Sequence, residues 1–158
     1  MPVILLPVYT LLAVSLVVLS VIDLRSLLLP RRIVLPVTAA SVAWLTGVAL
    51  FEVDLGALVR ALACATVSFG AFLAAHLASH SALGFGDVRL AFLLGLDLGW
   101  LGLSHVVAGM LVGFVTAAVV AFVLVVARVR VLADALPFGP FLAAGTLTAI
   151  VAGDALQA

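Results

Sequence analysis

From Met1 to Ile22 the chain carries no charged side chain, and apolar stretches of similar length recur along the rest of it. A hydrocarbon core of about 30 Å takes about 20 helical residues to cross. Backbone groups in hydrocarbon must bond within their own segment, so each stretch is read as a membrane-spanning helix. Composition supports this: 67% of the 158 residues are hydrophobic and the mean hydropathy is +1.49, against about half apolar in soluble domains. The length allows about six spans and no separate soluble domain. The expected fold is an all-α, polytopic helical bundle forming one integral-membrane domain over residues 1–158. The first stretch lacks the basic flank and cleavage site of a secretory signal peptide and is read as a retained span.

Charges, prolines and glycines punctuate the chain. Span one is expected over about residues 2–22, followed by a loop from Asp23 to Arg32. Span two runs over about 33–51, and Glu52 and Asp54 form a polar turn before span three at about 57–77. A more polar segment, His76 to Arg89, leads into a fourth span that reads as short or broken, because Asp97, Gly99 and Gly102 interrupt it. Span five covers about 104–127 and is closed by Arg128, Arg130 and Asp134. Span six starts near Pro137 and ends before Asp154.

All seven basic residues are arginines. If every span crosses, Arg25, Arg31, Arg32, Arg89, Arg128 and Arg130 share one side, and Arg60 lies on the other with Glu52 and Asp54. The positive-inside rule makes the arginine-rich side cytoplasmic and leaves the N-terminus outside. Asp23, at the exit of span one, and Asp87, at the entrance of span four, then fall on the same cytoplasmic face. The zero net charge and the lack of a basic run argue against nucleic acid as a partner. A lone cysteine, Cys64, excludes an intramolecular disulfide and any CxxC metal site.

An acid within or beside a membrane span is a functional candidate by default. Taken singly, Asp23 reads as a helix-end residue neutralised by Arg25, and Asp87 as a helix cap paired with Arg89. Taken together they suggest acid–base chemistry. Asp23 is followed by Pro30; Asp87 closes Gly84-Phe85-Gly86-Asp87; and Pro137-Phe138-Gly139-Pro140-Phe141 stands near the C-terminus.

In this order the three segments resemble the type IV prepilin peptidases, the bacterial GxGD intramembrane aspartyl proteases, over about residues 10–150. The resemblance implies a catalytic pair at Asp23 and Asp87. It implies supporting roles for Gly84, Gly86, Pro30, Pro137, Gly139 and Pro140, and for Arg89 where lysine is more usual. Arg31 departs from the acidic or amide residue common after the first-loop proline. Two-function members carry an added N-terminal segment with paired cysteines, linked to methylation. This chain starts at its first span with one cysteine, and so resembles the short, peptidase-only branch found with Flp/Tad pili. The implied partners are a prepilin or pseudopilin leader peptide and the lipid bilayer, and the implied place is the bacterial inner membrane. No cofactor is implied.

Peptide hydrolysis by two carboxyls needs one ionised, as base toward water, and one protonated, as donor to the carbonyl oxygen. Such a pair shares a proton and titrates as a unit. His76 and His80 share a helix-like spacing, but no further ligands accompany them and no metal is expected. His105 reads as interfacial, Asp97 as lying nearer the outer face, and Trp44 and Trp100 as packing or interface residues. Two other functions fit parts of the pattern. One is a small ion-coupled transporter using Asp23 and Asp87 as a proton or cation site. The other is a non-catalytic assembly subunit of a pilus or secretion machine.

Overall fold

The computed structural model describes residues 3–26, 29–78, 83–127 and 137–157. Six α-helices account for nearly all of them: α1 (Leu6–Ser26), α2 (Arg31–Glu52), α3 (Leu55–Ala78), α4 (Phe85–Leu101), α5 (Leu103–Val126) and α6 (Gly139–Gln157), with a short 3₁₀ turn at Val3–Leu5. The described residues contain no strand. α1 with its leading turn, α2, α3 and α5 are each long and apolar enough to cross a bilayer.

The helices alternate in direction. Trp44 on α2 donates its indole N–H to the Ile4 carbonyl at the start of the chain, at 2.9 Å. Arg60, early on α3, reaches the end of α4, and His105, early on α5, packs against Gly153 late on α6. The α2–α3 turn is tight. Val53 adopts a left-handed φ of 57°, and the Asp54 carboxylate caps α3 by accepting from the Ala57 N–H at 3.0 Å. α4 and α5 are joined by Gly102 alone, at φ 150°, where a side chain would be strained.

α4 is the core of the bundle, buried along almost its whole length. Its 17 residues span only about 25 Å at 1.5 Å per residue, short of the hydrocarbon thickness. The sequence expectation of a short fourth span is met, but the helix is not broken: Asp97 and Gly99 lie within it and the chain turns only at Gly102. Small residues allow the close approach. A Cβ at Gly95 would lie 2.7 Å from Ser68 Oγ, and one at Gly99 would lie 2.7 Å from Cys64 Cβ, both on α3. α5 and α6 meet in the same way, through Gly109, Gly113 and Gly145.

Because α4 ends inside the bundle, other helices satisfy its last carbonyls. Arg60 donates from Nε to Gly99 O at 3.0 Å and from Nη2 to Trp100 O at 2.7 Å. The helix C-terminus needs such donors and favours a cation. Arg60, the one arginine that the topology count put on the outer side, is therefore committed to a cap.

Three expectations shift in detail. α1 continues through Ser26, so Asp23 sits in its final turns rather than in the loop. α6 runs on past residue 154 to Gln157. His105 is buried against Gly153 with Nδ1 unpartnered, not interfacial, because a glycine there opens room for the ring.

Candidate active site

The end of the bundle where α1 stops and α2, α4 and α6 start gathers most of the residues singled out in the sequence. Pro30 is the N-cap of α2, and its carbonyl accepts from Ile33 N at 3.0 Å. Its φ of −69° is the one a proline ring imposes, and it offers no side-chain cap. Gly84 is the N-cap of α4, and its carbonyl accepts from Asp87 N at 3.1 Å. Asp87 is thus in the first turn of α4 and is not its cap. Gly139 opens α6, with Pro140 following it in the first turn.

Both acids are buried: Asp23 is 4% exposed and Asp87 7%. Asp23 Oδ2 accepts from the Gly139 backbone N–H at 2.9 Å, one of the donors that the start of a helix leaves free. A Cβ at residue 139 would lie 2.9 Å from that oxygen, so only glycine lets the backbone come this close. The Asp87 carboxylate turns back to the Gly84 backbone, which hydrogen-bonds it. This is the reciprocal half of a capping box, with an aspartate at the third helical position. Its other oxygen, Oδ1, is buried and has no partner. Asp23 and Asp87 are close enough to interact electrostatically. Each acid is thus held through one backbone contact from a glycine at a helix start.

Gly86 brings in a third segment of the site. A Cβ there would lie 2.6 Å from Leu29 Cβ, so α4 begins in direct contact with the segment before Pro30. Phe138, next to Gly139, clusters with Phe72 and Phe114, with the Phe114 and Phe138 rings 5.2 Å apart. Arg89 does not pair with Asp87: its guanidinium lies 4.6 Å from the Phe85 ring centroid. His76 meets the other side of this region, with Nδ1 2.6 Å from Leu83 O and its ring edge-on to Phe85. His80, Arg128, Arg130 and Asp134 lie outside the described residues. Among those described, no three His, Cys, Asp or Glu side chains converge on one point.

Residues 10–152 match the Type IV leader peptidase family. The chain belongs to that family. Among curated proteins it is similar to the "Prepilin leader peptidase/N-methyltransferase" of Aeromonas salmonicida (strain A449), at 33% identity over 148 residues, covering 89% of this chain and 47% of the relative. The protein of the same name from Burkholderia pseudomallei (strain 1026b) is 33% identical over 137 residues, covering 85% and 42%. The Aeromonas hydrophila protein is 33% identical over 148 residues, covering 89% and 48%. The chain spans about half the length of these relatives. No solved structure matches the chain at a significant level. As a family member with several apolar helices, it is an integral membrane protein.

One set of polar contacts escaped the sequence reading. Asp97 is fully buried; Ser41 Oγ donates to its Oδ2 at 3.2 Å, and Tyr9 donates its hydroxyl to the Asp97 carbonyl at 2.7 Å. The available signal was the presence of Tyr9 and Ser41 as polar interruptions in the two apolar stretches that flank the first loop.

Proposed function

We propose that this leader peptidase family member is a membrane aspartyl endopeptidase that removes the leader from prepilin-like substrates, with Asp23 and Asp87 as its catalytic pair. The observation that carries the reading is that two buried acids stand close enough to interact, each with one side of its carboxyl fixed by the backbone of a glycine at a helix start. Two carboxyls so placed can share a proton and present it in a fixed orientation.

The reaction balances with these two groups and one water. The ionised carboxylate takes a proton from water as the water oxygen attacks the scissile carbonyl carbon. The protonated carboxyl gives its proton to the carbonyl oxygen, producing a neutral gem-diol. As this collapses, the carboxyl that took the water's proton gives it to the amine nitrogen, and the other carboxylate takes a proton from a gem-diol hydroxyl. The C–N bond breaks to leave an amine and a carboxylic acid, with one proton on the pair as at the start. The proposed substrates include prepilins of the Flp/Tad kind. The arginine distribution favours a cytoplasmic-facing site and an outside N-terminus, and the family resemblance implies the bacterial inner membrane. The transporter alternative expects its acids near the bilayer middle, whereas Asp23 and Asp87 lie at helix ends.

The test is processing of a co-expressed prepilin, read as a shift to the shorter form on a gel. The orientation has its own check. Reporters fused after Arg32 or Arg130 should be cytoplasmic and one at Asp54 external, and a cytoplasmic Asp54 would overturn the shared-face assignment.

A further inference from the structure

The peptide unit that joins Leu83 to Gly84 is hydrogen-bonded on both edges. Its carbonyl, Leu83 O, lies 2.6 Å from His76 Nδ1. Its N–H is that of Gly84, whose backbone bonds the Asp87 carboxylate. A carboxylate only accepts, so the Gly84 group involved is this N–H, and a Cβ at Gly84 would lie 3.3 Å from Asp87 Oδ2. In a trans peptide the C=O and N–H point away from each other in one rigid plane, and no described peptide bond is cis. His76 and Asp87 therefore grip opposite edges of the same plane.

The bond also fixes the state of the imidazole. A carbonyl oxygen cannot donate, so Nδ1 carries the hydrogen and, in the neutral ring, Nε2 does not. A histidine in the last turn of a helix often serves that helix's own final carbonyls. His76 is in the last turn of α3, but the oxygen it reaches lies seven residues on. That oxygen is past the helix end at Ala78 and directly before the N-cap of α4. A second contact leads the same way. The His76 ring stands edge-on to Phe85 with centroids 5.7 Å apart, and the Arg89 guanidinium lies over the Phe85 ring. Phe85 is the one side chain between Gly84 and Gly86, so a turn that two glycines would leave loose is held through it.

A carboxyl that reacts has to point in a fixed direction, and a misplacement of about 1 Å can cost about a hundredfold in rate. We infer that His76 is a positioning residue for the carboxyl pair: by donating from Nδ1 to Leu83 O it sets the tilt of the Leu83–Gly84 peptide, and with it the direction of the Gly84 N–H that holds Asp87. Linked hydrogen bonds also polarise one another, by about 10–30% per bond, so the Gly84 N–H donates more strongly with His76 in place. In this role His76 acts only through the peptide. The consequence for rate rests on the proteolytic reading above, whereas the bond path from His76 to Asp87 does not.

Two readouts test it, one with substrate and one without. In cleavage of a prepilin, His76→Leu should lower kcat about tenfold or more, within the hundredfold that a 1 Å shift costs, with KM little changed. His76→Asn places an amide N–H where Nδ1 stands and should recover most of the loss. His76→Gln carries its amide farther out and should not. The second readout is the Gly84 amide proton in protein made with isotope-labelled glycine, its resonance identified by disappearance in Gly84→Ala. A proton bonded to a carboxylate lies downfield, so Asp87→Ala should move it upfield; His76→Leu should move it the same way by less, and His76→Asn should return it. Unchanged kcat in well-expressed His76→Leu overturns the inference, as does equal recovery by the asparagine and glutamine variants. A Gly84 resonance indifferent to Asp87→Ala or to His76→Leu overturns it as well. If Asp23→Asn and Asp87→Asn cleave as well as the unsubstituted chain, the proteolytic reading fails, and the Gly84 resonance still decides whether His76 acts on Asp87.

Discussion

Asp87 and Asp97 lie on one helix and are both buried, yet α4 holds them in opposite ways. Asp87 is in the first turn, steadied by the Gly84 backbone and facing the charge of Asp23. Asp97 lies near the far end, where Ser41 and Tyr9 bind its carboxylate and its carbonyl, and Arg60 closes the helix two and three residues on. One end of α4 is secured by side chains from three other helices. The other is built from glycines and backbone. A burial measure alone would rank Asp97, at 0% exposure, above Asp87 as a buried acid; what separates them is a second carboxyl, present beside Asp87 and absent from the contacts of Asp97.

The sharpest way to break this contrast is at the pair. Asp23→Asn and Asp87→Asn keep side-chain shape and remove ionisation. Each should lower leader cleavage more than about 10³-fold, and the double variant should be scarcely worse, because groups acting as a unit are strongly non-additive. Neither should lower the amount of protein in the membrane, since a neutral amide is easier to bury than a charge. Full processing by a well-expressed Asp87→Asn would remove the distinction between the two ends and bring the transporter reading forward.

The next effect tests the backbone hold. Gly139→Ala places a Cβ 2.9 Å from the Asp23 carboxylate, and Gly86→Ala places one 2.6 Å from Leu29 Cβ. A shift of about 1 Å in a reacting group can cost about a hundredfold in rate, and losses of that order are expected in kcat with membrane levels kept. At Gly84 the nearest atom to a Cβ is Asp87 Oδ2 at 3.3 Å, so Gly84→Ala should be milder. Equal activity in all three would mean that the carboxyls are placed by something other than these glycines.

Much of this end was legible in the sequence. Asp23, Asp87 and the glycines stand out because a carboxylate or a Gly-X-Gly is conspicuous against hydrocarbon, and arginine counting put both acids on one face. The far end was less legible for a physical reason. Tyr9, Ser41 and Arg60 act on α4 through contacts between helices distant in sequence, and no local periodicity encodes which polar residue of one span meets which carbonyl of another. Arg60 read as a stray charge in a topology count, when its position is explained by a helix too short to reach the bilayer surface. His105 was misplaced in the same way, because Gly153, which makes room for it, lies a whole helix hairpin away.

Arg60→Met therefore probes the secured end. It leaves Gly99 O and Trp100 O without their donors, a loss of about 1–3 kcal/mol for a buried acceptor. The purified variant should melt at lower temperature while its kcat at low temperature stays close to normal. A collapse of kcat without loss of stability would show that the two ends of α4 are coupled more tightly than a capped rod requires.

The smallest effect is expected at Asp97 itself. Its Oδ2 accepts from Ser41 and its Oδ1 has no partner. In Asp97→Asn the amide oxygen can still accept from Ser41, and the Tyr9 bond is untouched because it goes to the backbone carbonyl. A second carboxyl is what turns a buried acid into half of a proton-sharing pair, and none of the hydrogen bonds at Asp97 comes from one. Cleavage by Asp97→Asn should stay within about threefold of normal, with the change seen equally in kcat and kcat/KM if it is seen at all. The measurement is the same gel shift, run beside Asp87→Asn at matched membrane levels. A well-expressed Asp97→Asn that fails to cleave would make this acid a third member of the machinery, and the contrast along α4 would then lie in the roles of its two acids and not in whether each has one.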